Sequence, residues 1–233
     1  MQRPEAPTLL PPVPAPDPGK GSGDGSVSTL TAGIIVAAGT GLAVLGPVLG
    51  LSPWLTSLAV GAGLVGLTVD AARFGGRGGH LLAEALPGGR QRLRRIAIHE
   101  AGHALLAEQN DLPIQRVLVG SLACLQAGLR ASGSTEFAIP DHAKLAVEDL
   151  RCWSRVLQAG MAAERLIYGQ SRGGGDDRAL LGRLWGLSGL DVATAQLEQP
   201  RARREVEQWL RREQPRLEQR AEQLLSSAPR LLR

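Results

Sequence analysis

Residues 30–69 carry no charged side chain, and that run limits the chain more than any other feature. It is about twice the roughly 20 residues that carry one helix across a bilayer. Ser52-Pro53-Trp54 divides it near the middle. Proline restricts the residue before it and interrupts a helix, and tryptophan favours the lipid–water boundary. The expectation is a transmembrane hairpin over 29–70, with spans at about 30–50 and 53–69. Its many glycines, among them Gly39, Gly46, Gly61 and Gly66, would let two backbones approach closely. A buried soluble hairpin is the competing reading, because Gly and Ala make these spans only moderately hydrophobic. A cleaved signal peptide does not fit: the apolar run starts late and is too long.

The flanks set the orientation. Residues 1–28 are rich in Pro, Gly and Ser, a composition that cannot bury enough surface to order itself, so a flexible tail is expected. Gly19-Lys20 is followed by Gly21, so the phosphate-loop pattern is not met. On the other side, Arg73, Arg77, Arg90, Arg92, Arg94 and Arg95 crowd the membrane exit. The positive-inside rule makes that side cytoplasmic, or its equivalent in an organelle. Residues 71–90, with Pro87-Gly88-Gly89, read as a linker, and His80 as a solvated residue within it.

The chain has 26 cationic residues, and only Lys20 and Lys144 are lysines. The arginines lie beside the apolar run or among glutamates near the C-terminus. No aromatic-rich basic patch accompanies them, so nucleic acid is not an expected partner. The two cysteines, Cys124 and Cys152, are too few for a disulfide-stapled secreted domain and read as buried free thiols.

Chemistry concentrates in Ile96-Ala97-Ile98-His99-Glu100-Ala101-Gly102-His103. Positions i and i+4 of a helix share a face, so the two imidazoles can converge on one point. That makes half of a tetrahedral zinc site, with Glu100 placed to take a proton from water. With four histidines in 233 residues, such a pattern inside an apolar helical run is a poor candidate for coincidence. The soluble domain is expected over 91–233, opening with this helix at about 91–108. Asn110-Asp111-Leu112-Pro113 ends it. Residues 114–119 read as a strand and 126–138 as a second extended piece. An edge strand beside such a site could take in a peptide as one more strand. His142 reads as a capping or surface histidine. Residues 143–169 carry helical periodicity. A glycine-rich turn then brings Asp176 and Asp177 to the head of a new helix, where they can cap it or send a carboxylate to a metal. Residues 201–213 and 216–227 read as amphipathic helices broken at Pro215.

Several of these segments resemble one family. His99-Glu100-Ala101-Gly102-His103-Ala104 resembles the zinc motif of the FtsH-type membrane metallopeptidases. Gly133-Ser134-Thr135, Ala159-Gly160-Met161-Ala162-Ala163-Glu164 with Tyr168-Gly169, and the turn from Ser171 to Asp177 are similar to its later segments, in the same order over about 90–190. The resemblance implies a mainly α, helical FtsH-like zincin peptidase domain with a small β element. It implies Zn2+ as cofactor, with His99, His103 and Asp177 as metal ligands and Glu100 as the catalytic base. A one-residue slip to Asp176 stays open, and Glu164 is expected to be structural. The family's AAA ATPase module is not expected here, since only the linker of about 20 residues over 71–90 separates the membrane hairpin from the peptidase domain.

The expected function is therefore a membrane-anchored zinc metalloendopeptidase acting on unfolded or loosely folded proteins. Expected partners are protein or peptide substrates, membrane lipid, and either a homo-oligomer or an AAA ATPase protease. The alternatives are a non-catalytic peptidase-like partner of a full-length FtsH-type complex, or a purely structural membrane hairpin.

Overall fold

The computed structural model describes residues 25–74, 76–129, 131–138 and 145–229. Residues 1–24 of the tail expected over 1–28, and His142, lie outside them, whereas residues 25–28 open a helix. The described residues are mainly helical. Two helices come first, α1 over Gly25–Leu45 and α2 over Pro53–Phe74. They run back to back: a Cβ on Gly39 would lie 3.5 Å from Val60, an ordinary packing distance that glycine leaves open. Among the described residues one helical stretch, Pro53–Arg73, is long and apolar enough to cross a membrane, and it is almost wholly exposed. Val36–Leu45 is apolar but shorter.

The segment expected to be a linker is mostly helix. After α2 comes α3, Arg77–Ala85. Glycines give it poor intrinsic propensity, so neighbours hold it. Asp70 accepts from the backbone N–H groups of Gly78 at 2.9 Å and Gly79 at 3.1 Å, capping its first turn. Farther along, Glu84 accepts from the backbone N–H and the hydroxyl of Ser121. His80 is half-buried rather than solvated: Arg92 Nη2 lies 2.8 Å from its Nδ1, and Ser132 Oγ is nearby.

The helix α4, Gly89–Gln109, runs through the middle of the main core. It ends at Asn110, whose side chain donates to Leu106 O, and Asp111 takes a left-handed backbone (φ 52°) that Asx residues tolerate. The strands β1, Ile114–Val119, and β2, Gly133–Phe137, pair antiparallel, Val117 opposite Thr135 and Val119 opposite Gly133. A short helix α5, Ser121–Gln126, lies between them and was not expected from the sequence.

Next come α6 over Val147–Tyr168, α7 over Gly175–Leu187, α8 over Val192–Arg212 and α9 over Gln214–Ser227. The helices α4 and α6 cross at near-backbone contact. A Cβ on Gly102 would stand 2.7 Å from Ala159 O, so only glycine permits this approach. Val206 and Leu210 of α8, with Leu217 and Leu225 of α9, seal the main core. A second cluster joins Trp153 and Leu157 of α6 to Leu181, Leu184 and Trp185 of α7, where Trp185 Nε1 donates to Ser154 Oγ. Pro215 does not lie between the last two helices. It sits in the first turn of α9, where a missing N–H costs nothing.

Candidate metal centre

Two helices supply the ligands. His99 and His103 lie one turn apart on α4 with ring centroids 4.8 Å apart. Asp177 comes from the first turn of α7, which Gly174 (φ 88°) introduces. His99 Nε2 stands 3.1 Å from His103 Nε2 and 3.1 Å from Asp177 Oδ2. His103 Nε2 stands 3.4 Å from that same oxygen. Asp176, the neighbouring acid, is exposed and is not part of the cluster.

The other nitrogen of each ring is already engaged. His99 Nδ1 lies 2.8 Å from Glu164 Oε1, and His103 Nδ1 lies 2.8 Å from Val156 O. Both partners are acceptors only, so each Nδ1 carries the hydrogen. That assignment turns two Nε2 lone pairs toward a carboxylate oxygen. Three acceptors facing one another with no donor between them require a cation, either protons or a metal ion. The spacing fits a metal: tetrahedral ligands at roughly 2.0–2.1 Å from zinc stand about 3.3 Å apart. His99, His103 and Asp177 could therefore hold one divalent ion, with Glu164 and the Val156 carbonyl fixing the rings from behind.

The electrostatics of the metal-free protein agree. Burial disfavours charge on His99, but hydrogen bonds to Asp177 and Glu164 outweigh it and raise its pKa to about 10. His103 is also raised: burial opposes the charge, and the Asp177 carboxylate overcomes it. Burial pushes the Asp177 carboxyl up, yet the two imidazoles hold it well below the usual carboxylate range.

Glu164 is a hub. It receives His99, Arg95 Nε at 2.6 Å, and the backbone N–H groups of Arg172 at 2.9 Å and Gly173 at 3.2 Å. Despite its burial these donors lower its pKa to about 2. One carboxylate thus ties α4 to the turn that delivers Asp177. Arg95 also donates to Gln170 O and lies 4.6 Å over the Tyr168 ring.

Glu100 is buried beside β2. Its Oε2 accepts from Thr135 Oγ1 at 2.7 Å. The alternation of β2 turns Gly133, Thr135 and Phe137 toward α4. A Cβ on Gly133 would stand 2.6 Å from Glu100 Oε1, so glycine makes room for the carboxylate. Burial raises the Glu100 pKa, and the two imidazoles pull only partly against it.

Sequence reasoning missed two contributors. Gly160 of α6 faces the rings: a Cβ there would lie 2.5 Å from Nε2 of His99 and of His103, inside the space a metal needs. Arg95 stands one turn before His99 and has no motif to mark it. Neither thiol joins the site: Cys124 is buried, Cys152 is half-buried, and both are free. No protein-family model, curated protein or solved structure matches the chain, so its functional reading rests on this geometry.

Proposed function

We propose that the chain is a membrane-anchored zinc metalloendopeptidase that cleaves unfolded or loosely folded proteins. The observation that carries it is the convergence of His99, His103 and Asp177 on one point with a buried carboxylate, Glu100, on the adjacent residue of the same helix. The FtsH-type resemblance is in keeping with this order of segments.

His99, His103 and Asp177 would hold zinc and leave one position open. When bound, zinc supplies Lewis acidity, polarising a carbonyl and making water more acidic. Glu100 accepts the proton of the attacking water and passes it to the departing amine. Its burial favours this, since a raised pKa makes the carboxylate the better proton acceptor. Thr135 holds one oxygen of that carboxylate and so fixes its position beside β2. The strand β2 lies alongside, and an extended peptide laid on its edge would present its backbone to Glu100. Such a substrate would be extended already, since a folded one offers no free strand to lay on that edge.

The apolar surface of α2 suits lipid, with α1 as the second arm of a membrane hairpin. Exposed Arg73 and Arg90 near its exit suit a cytoplasmic placement of the catalytic domain. The direct test uses Glu100→Gln in the full chain with an unstructured protein substrate. Cleavage should vanish while metal content stays at the wild-type level. Equal cleavage by the variant removes the proposed base. A wild-type chain that binds metal and leaves the substrate intact is a non-catalytic partner instead.

A further inference from the structure

We infer that the outward face of α3 is a membrane-surface contact that seats the catalytic domain against anionic headgroups. This rests on the membrane reading of α2. The helix α3 begins three residues after α2 ends, and Asp70 clamps its first turn to the end of α2. It therefore lies at the level where the apolar span stops. Leu82 lies on α3 and Leu86, extended in its backbone, caps the end of that helix; they are 52% and 40% exposed. Exposed Arg73 and Arg90 flank them in the sequence.

The acidic groups of this region are engaged elsewhere. Asp70 accepts the backbone N–H groups of Gly78 and Gly79, and Glu84 accepts from Ser121 of α5. What remains exposed is Leu82 on α3 and Leu86 at its end, with Arg73 of α2 and Arg90 of α4 to either side, apolar groups beside cations as a headgroup layer accepts. Continuity with the span selects lipid as the occupant, and the arginines select anionic lipid. Because Glu84 also grips the start of α5, and Ser132 just before β2 reaches His80, this contact would set how the substrate strand faces the membrane.

The test is depth-dependent fluorescence quenching in the full chain, reconstituted into anionic bilayers. Single cysteines carrying a small fluorophore replace Leu82, Leu86, Leu58 or Leu197 in a Cys124→Ala, Cys152→Ala background. Leu58 on α2 and Leu197 on α8 are 71% and 75% exposed. Lipids bearing nitroxide near the headgroup should quench the labels at 82 and 86 several-fold more than the label at 197. The label at 58 should respond most to nitroxide deep in the acyl chains. Deep quenching at 58 with labels 82 and 86 behaving like 197 overturns the α3 contact and leaves the membrane span standing. No lipid quenching at 58 overturns the span and this inference with it.

Discussion

The bare Cα of Gly160 faces His103 so closely that a Cβ would stand 2.5 Å from the ring's Nε2. The site therefore depends on a missing side chain as much as on those present. Alanine is the better helix former by about 1 kcal/mol, so helix propensity alone would favour Gly160→Ala, and the rings must shift to admit its Cβ. The expected outcome is a helical, folded chain that no longer holds metal. Circular dichroism together with metal analysis separates the two effects.

Thr135 holds Glu100 through one 2.7 Å hydrogen bond, which favours the charged carboxylate. Thr135→Val removes it at nearly constant volume. The Glu100 pKa should rise further, and the acid limb of kcat/KM should move to higher pH, as expected for losing a hydrogen bond to a charged group. The pH profile of peptide cleavage measures this shift.

Glu164 gathers His99, Arg95 and the turn that delivers Asp177. Glu164→Gln keeps the shape but loses the charge behind His99. Metal affinity should fall by about 10- to 100-fold, as is usual for partners of metal-bound histidines. Arg95→Met should weaken binding in the same direction, because it leaves the Glu164 carboxylate less well held. Competition with a coloured chelator reads both.

Proton linkage gives an independent check on the metal-free protein. The pKa of His99 is raised from its ordinary 6.5 to about 10, so its contribution to stability is complete below 6.5 and is lost as pH climbs through 10. Glu164 is lowered from 4.5 to about 2, so its contribution is complete above 4.5 and is lost as pH falls toward 2. After chelation, thermal stability from these two groups should be greatest between about 4.5 and 6.5 and decline on both sides. Restoring zinc should remove the alkaline decline, since the metal replaces the proton between the same atoms. Melting curves across pH, with and without metal, check the sign on each side.

The parts legible in the sequence are those written within one element. His99, Glu100 and His103 need only the period of a helix. Asp177, 78 positions from His99, came from the likeness of a glycine-rich turn to a known family, because no local rule brings α7 back to α4. Gly160 was invisible for a related reason: its value is the space left where two helices cross, and that crossing is set by Gly102 meeting Ala159. The helix α3 was hidden by its own glycines. Its stability comes from Asp70 and Glu84, whose partners are tertiary. The proline at 215 marked the break between the last two helices to within two residues, although it stands in the first turn of α9 rather than between them.

Zinc stoichiometry is the most direct measurement. The full chain is purified in detergent, exposed to zinc, desalted and assayed by elemental analysis beside Asp177→Asn. One zinc per wild-type chain, with a large loss in the variant, is the expected result. A wild-type chain that retains no zinc, or equal loading in both proteins, would contradict a metal held between α4 and α7.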